Sequence, residues 1–111
     1  MIEETDKRII DLIIKSINRT IDLVQNHEQE IYTNYIYSDS LQYEFEKIFE
    51  DYKRLSAKFI INHPYLPIKE LRGIRNRVAH DYESIIIEIL IDTVKKDFPS
   101  FLELLIKIEK S

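Results

Sequence analysis

The chain has no cysteine, no tryptophan, one glycine (Gly73) and three prolines among its 111 residues. Without cysteine there is no disulfide framework, no thiolate nucleophile and no thiolate ligand for a metal. A single glycine leaves little of the turn chemistry that a many-stranded sandwich or barrel requires, so a few long helices are expected instead. No apolar run approaches the ~20 residues that cross a bilayer. The opening stretch, MIEETDKRII, places acid ahead of its apolar residues and has no small-residue cleavage site, so it does not read as a secretory signal. A soluble, cytoplasmic protein without a membrane partner is the expectation. Glycine-rich phosphate loops and Gly-x-Ser-x-Gly elbows are also missing. His27, His63 and His80 are scattered, with no i,i+4 carboxylate–histidine pairing, so neither a metal nor a cofactor is expected.

What is present describes a foldable domain. Hydrophobic residues make up 44% and charged residues 32% of the chain, ordinary proportions for a globular protein. The length suits one domain over residues 1–111. A monomer of this size buries roughly two-thirds of its unfolded surface, so dimerisation would add useful burial. Net charge is −4, yet residues 69–80 hold Lys69, Arg72, Arg75 and Arg77 against Glu70 alone. That island is +3, and the remainder therefore carries −7. A small basic island on an acidic body fits a local phosphate site better than a long track along a duplex.

Apolar periodicity gives the architecture. Ile10, Ile13, Ile14, Ile17, Ile21 and Val24 predict a helix over 6–25, with Thr5 or Asp6 as its cap. The stretch NHEQEIYTNYIYSDS is less regular and reads as a short helix and a turn. Leu41, Phe45, Ile48, Phe49, Tyr52, Leu55 and Phe59 predict a helix over 40–61. INHPYLP then breaks the chain, and Pro67 suits the first position of a helix over 67–80. A last helical region over 84–109 has Ser84 as its cap, with Pro99 kinking or restarting it behind Asp97. The sum is an all-α antiparallel bundle of four main helices plus a short one.

RNRVAHDY, residues 75–82, gathers most of the chemistry. Leu71, Ile74 and Val78 form a narrow apolar stripe for the core, while Arg72, Asn76 and His80 step along an adjoining row. At about 100° per residue, His80 lies about 140° round the helix from Arg75, so an ideal helix does not aim both at one point. Either the helix ends near His80 and the chain turns, or a second copy supplies the complementary group. Gly73 costs an interior helix about 1 kcal/mol relative to Ala. Close approach of a partner helix or a phosphate backbone would explain it, and so would tight packing within one subunit. Imidazole titrates near neutrality and can take a proton from a ribose 2′-OH or return one to a 5′-oxygen. Guanidinium matches phosphate oxygens and stays charged. The plain alternative is a surface histidine beside a solvated basic face, with Arg77 in a surface salt bridge.

With Arg75, His80 and Tyr82 in place, RNRVAHDY fits Arg-x4-His-x-Tyr and resembles the HepT family of HEPN-domain toxins. LQYEFEKIFEDYKRLS resembles that family's third-helix segment. HPYLPIKELRGIRNRVAHDY resembles its approach into the catalytic helix, and IDTVKKDFPSFLELL its closing helix. The resemblance runs from about residue 38 to 106. It implies a HEPN-like helical bundle that forms a homodimer, with Arg and His of both subunits in an interfacial cleft. It further implies a metal-independent endoribonuclease toxin of a type VII toxin–antitoxin system, acting on an RNA such as tRNA or mRNA. Arg75 and His80 would be catalytic, Asn76 positioning, and Arg72 and Arg77 RNA-binding. A cognate MntA-type nucleotidyltransferase antitoxin would AMPylate Tyr82. The alternative in the same fold is a non-catalytic module that binds nucleotide or a partner. The sequence departs from the family at Phe49, Glu50 and Asp51, where small residues are common, and at Glu83-Ser84 after the tyrosine.

Overall fold

A computed structural model describes residues 2–111. Among them are six helices and no strand: α1 (Glu4–Thr33), α2 (Tyr35–Lys53), α3 (Ala57–Asn62), α4 (Ile68–Val78), α5 (Glu83–Lys96) and α6 (Phe98–Lys110). At ~1.5 Å per residue, the 30 residues of α1 account for the 45 Å long dimension of the molecule. This helix is the spine. Helices α2, α5 and α6 pack along it, and α4 leans lightly on α2 and α5 at one flank. The all-α expectation is met, but with six helices rather than four and a short one.

Each difference has a local cause. Helix α1 was expected to stop at residue 25, because polar residues follow Val24. It continues to Thr33 across a break at His27, whose φ of −138° and ψ of 28° are non-helical. The His27 ring bonds Glu30 Oε1 at 2.7 Å and lies 4.7 Å from the Tyr37 ring, which fixes the bend. Asn34 alone separates α1 from α2, and its side chain accepts a hydrogen bond from Ile36 N at 3.0 Å. Neither Thr5 nor Asp6 caps α1; Glu3 occupies that position without a side-chain bond.

The helix expected over 40–61 begins earlier, at Tyr35, and is interrupted after Lys53. Ser56 starts α3 by accepting from Phe59 N at 3.1 Å. Leu55 within the interruption and Phe59 beyond it stay buried, so the apolar period continues although the helix does not. Pro67 precedes α4 rather than opening it. Asp97 separates α5 from α6, with Pro99 in the first turn of the latter, so the proline restarts the helix and does not merely kink it. Tyr82, not Ser84, stands at the cap of α5.

The core is a single cluster of Ile, Leu, Val and aromatic side chains from all six helices. Phe98 stacks on Phe45 with centroids 5.1 Å apart, joining the α5–α6 junction to the middle of α2. Such a pair adds about 1 kcal/mol to its burial. Phe49 is fully buried in this cluster. Its departure from the family pattern is therefore a matter of core volume and does not reach the surface.

Candidate functional site

Helix α4 is held by its apolar stripe. Ile68 and Leu71 are buried, and Ile74 and Val78 are half-buried against the core. The opposite side carries Arg72, Gly73, Arg75, Asn76 and Arg77, all exposed. The helix ends at Val78, two residues short of the expected limit. The Arg77 carbonyl accepts from both His80 N (3.1 Å) and Asp81 N (3.0 Å), folding residues 79–81 into a tight turn. No glycine or proline marks this stop. The chain then extends at Tyr82 (φ −69°, ψ 153°) and enters α5. Of the two explanations for the mismatch between Arg75 and His80, the turn is therefore the one seen in the single chain.

The motif straddles a corner: Arg75, Asn76 and Arg77 on the last turn of α4, His80 and Asp81 in the bend, Tyr82 at the start of α5. Arg77 Nε lies 3.7 Å from Asp81 Oδ2, a solvated i,i+4 ion pair, worth only a few tenths of a kcal/mol. Among the described residues, the side chains of Arg72, Arg75, Asn76, His80 and Tyr82 make no hydrogen bond or ion pair. Tyr82 is 82% exposed, the most exposed large hydrophobic side chain among the described residues. No side chain caps α5, so the free N–H groups of its first turn add partial positive charge beside Tyr82.

Gly73 settles another open point. A Cβ built there meets nothing within 4 Å. Tight packing within the subunit does not explain the glycine, because the position faces open space.

The other flank of Tyr82 differs in charge. Ile31, Tyr32, Asn34 and Tyr35 of the α1–α2 turn meet Glu83 and Ile87 of α5 around a groove of about 290 Å³. The Tyr32 phenol is pushed above its ordinary range by burial, and then by the charges of Glu88 and Glu28. Tyrosine and acid therefore border the corner on this side. Adjacency of IYTNYIY to the motif is a product of the fold, with no signal in spacing. No three His, Cys, Asp or Glu side chains among the described residues converge as a metal-ligand set. No described helix is long and apolar enough to cross a membrane.

A family model for HepT-like ribonucleases ("Ribonuclease HepT-like") matches residues 13–108. The chain belongs to the HepT-like ribonuclease family. It is also similar to a protein of Thermococcus cleftensis described as a probable ribonuclease HepT. The two are 27% identical over 92 residues, which is 78% of this chain and 84% of that one. No solved structure gives a significant match. The matched span includes the whole α4–α5 corner, so the family assignment and the exposed polar cluster fall on the same part of the fold.

Proposed function

We propose that this chain is the toxin of a type VII toxin–antitoxin pair, an endoribonuclease that cuts RNA without a metal ion. Two copies bring their α4–α5 corners together, and Arg75 and His80 of both line one cleft. An imidazole of His80 removes the proton of a ribose 2′-OH, and the oxygen attacks the adjacent phosphorus. The bond from phosphorus to the 5′-oxygen breaks, and an imidazolium returns a proton to that leaving oxygen. The products are a 2′,3′-cyclic phosphate and a 5′-hydroxyl. Arg75 holds two phosphoryl oxygens with its planar fork and offsets the extra negative charge of the phosphorane. Asn76 orients the phosphate, while Arg72 and Arg77 contact the RNA backbone.

The observation that supports this reading best is the unspent bonding capacity of the corner. Of the cations at this corner, only Arg77 has a partner among the described residues, the solvated Asp81 carboxylate, and a pair of that kind exchanges readily for phosphate. Arg75, Asn76 and His80 are exposed and available to a ligand. Tyr82 is the switch. A MntA-type nucleotidyltransferase antitoxin joins the Tyr82 phenolic oxygen to the α-phosphorus of ATP, and pyrophosphate leaves. The added phosphate sets negative charge and bulk beside Arg75 and His80, where RNA must enter.

The test is cleavage of single-stranded RNA by the purified protein in the presence of EDTA. Cyclic-phosphate ends are expected, with rates reduced by about 100-fold or more in His80→Ala and Arg75→Ala. Parental rates in both variants, or an absolute requirement for a divalent cation, would overturn the reading.

A further inference from the structure

We propose that the groove between the end of α2, α3 and α4 is a subsite for single-stranded RNA leading into the motif. Lys53 and Arg72 each hold a backbone phosphate there, and a base lies on Ile60 and Ile61 between them. The proposal rests on the ribonuclease reading above and extends it from Arg72 along the surface to Lys53 and α3.

The charge of this groove is the first argument. Its lining includes Lys53 and Arg72 and no carboxylate. Four other grooves each contain at least one acid: Asp6 in one, Asp97 in the next, then Glu83, then Glu44. On a chain of net charge −4, a cationic groove without acid runs against the overall balance and suits a polyanion.

The cations are also available. Arg72 has no ion pair among the described residues, and Lys53 has only Glu50 at 3.5 Å, with both side chains well solvated. A solvated pair of this kind contributes little and exchanges readily for phosphate. Between the two cations the groove is apolar. Ile61 is 74% exposed at its lip, Ile60 is half-buried, and the space is about 400 Å³, within the range of small-ligand pockets. Cations bordering an aliphatic wall match the two halves of a nucleotide, phosphate and base.

Continuity supplies the direction. Arg72 precedes Asn76 by one turn on the same row of α4, so the groove opens onto the proposed cleft about 6 Å farther along the helix axis. The flank beyond Tyr82 is bordered by Glu83, with Glu88 and Glu28 close to Tyr32. Lys95 offsets Glu28, and the remaining carboxylates, Glu83 and Glu88, repel an RNA strand. A strand crossing the cleft is therefore drawn toward α3.

The experiment is fluorescence anisotropy in a His80→Ala background, using labelled random-sequence single-stranded RNA, a tetranucleotide and a dodecanucleotide, over a salt series. In the Lys53→Gln/Arg72→Gln double variant, dodecanucleotide affinity should fall by about tenfold or more, and the logarithmic salt slope should drop by about 1.4. Arg72→Gln alone should lower the slope by about half as much. Tetranucleotide binding should fall less than dodecanucleotide binding. Ile61→Ser should weaken the dodecanucleotide by about threefold without altering the slope. A charge-matched control on α6, Lys107→Gln/Lys110→Gln, should bind like the parent. Parental affinity and slope in the groove variant would overturn the subsite. So would an equal loss in the α6 control, or a change of oligomeric mass in Ile61→Ser, which would make the groove a contact between copies. If the parent binds neither RNA, the ribonuclease reading itself falls, and that result is distinct from the other three.

Discussion

Asp6, in the first turn of α1, accepts two hydrogen bonds from Ser56, fifty residues away: from the backbone N–H at 2.8 Å and from the hydroxyl at 2.6 Å. The same hydroxyl accepts from Phe59 N. One buried carboxylate thus fixes the start of the spine to the interruption between α2 and α3. Asp6→Ala leaves the Ser56 groups without this partner and should lower unfolding free energy in urea by about 2 kcal/mol. The Asp6→Ala/Ser56→Ala double variant should lose less than the sum of the two single variants. Strict additivity would show that the pair does not act as a unit.

Cross-subunit complementation reads the composition of the cleft. Arg75→Ala and His80→Ala proteins, each expected to be inactive, are mixed under conditions that exchange subunits. If each site draws Arg75 from one copy and His80 from the other, random pairing restores about a quarter of parental RNA cleavage. No recovery, with subunit exchange demonstrated, would place both groups of a site on one chain.

Tyr82 is tested by mass. Incubation with the cognate nucleotidyltransferase and ATP should add AMP to the parent and leave Tyr82→Phe unmodified. Because the side chain is exposed, Tyr82→Phe should melt within about 0.5 kcal/mol of the parent. An adduct on another residue would refute the assignment.

Two solvated pairs each add a small pH-dependent increment to stability, one on the acid side and one on the alkaline side. The hydrogen bond from His27, aided by Tyr37, holds the Glu30 carboxyl below its usual range. Its contribution is present above the ordinary value of 4.5 and is lost as pH falls through the lower folded value. The Lys95 ammonium, hydrogen-bonded to Glu28 at 2.6 Å, is raised above its ordinary 10.5. Its contribution is complete below that value and disappears as pH rises through the folded one. Glu30→Gln should flatten the acid limb of melting temperature against pH, and Lys95→Met the alkaline limb. Unchanged limbs in both variants would remove these pairs from the account.

The sequence makes the class of fold legible because isoleucine, leucine and phenylalanine recur at helical spacing along most of the chain. It hides the breaks for the same reason. Leu55 and Phe59 remain in phase across the α2–α3 interruption, and the useful signal was Ser56, a cap residue within an apparently unbroken period. Residues 26–33 look irregular because that end of α1 faces solvent on most sides, so helix forms there with little apolar patterning. Arg72, Arg75, Asn76 and His80 are legible as a cluster. The turn that separates His80 from the helix is legible only as one of two options, since it depends on one carbonyl, that of Arg77, shared by two N–H groups. Lys53 is out of reach of any spacing argument, because only the packing of α2 and α3 brings it opposite Arg72.

Gly73 offers a way to set folding against assembly. With open space where its Cβ would lie, Gly73→Ala should stabilise the isolated chain by about 1 kcal/mol. Wild type forgoes that gain and keeps a shallow notch in the exposed side of α4, where another backbone can approach more closely than any side chain would allow. The alanine variant should therefore melt later and associate less, two changes of opposite sign from one methyl group.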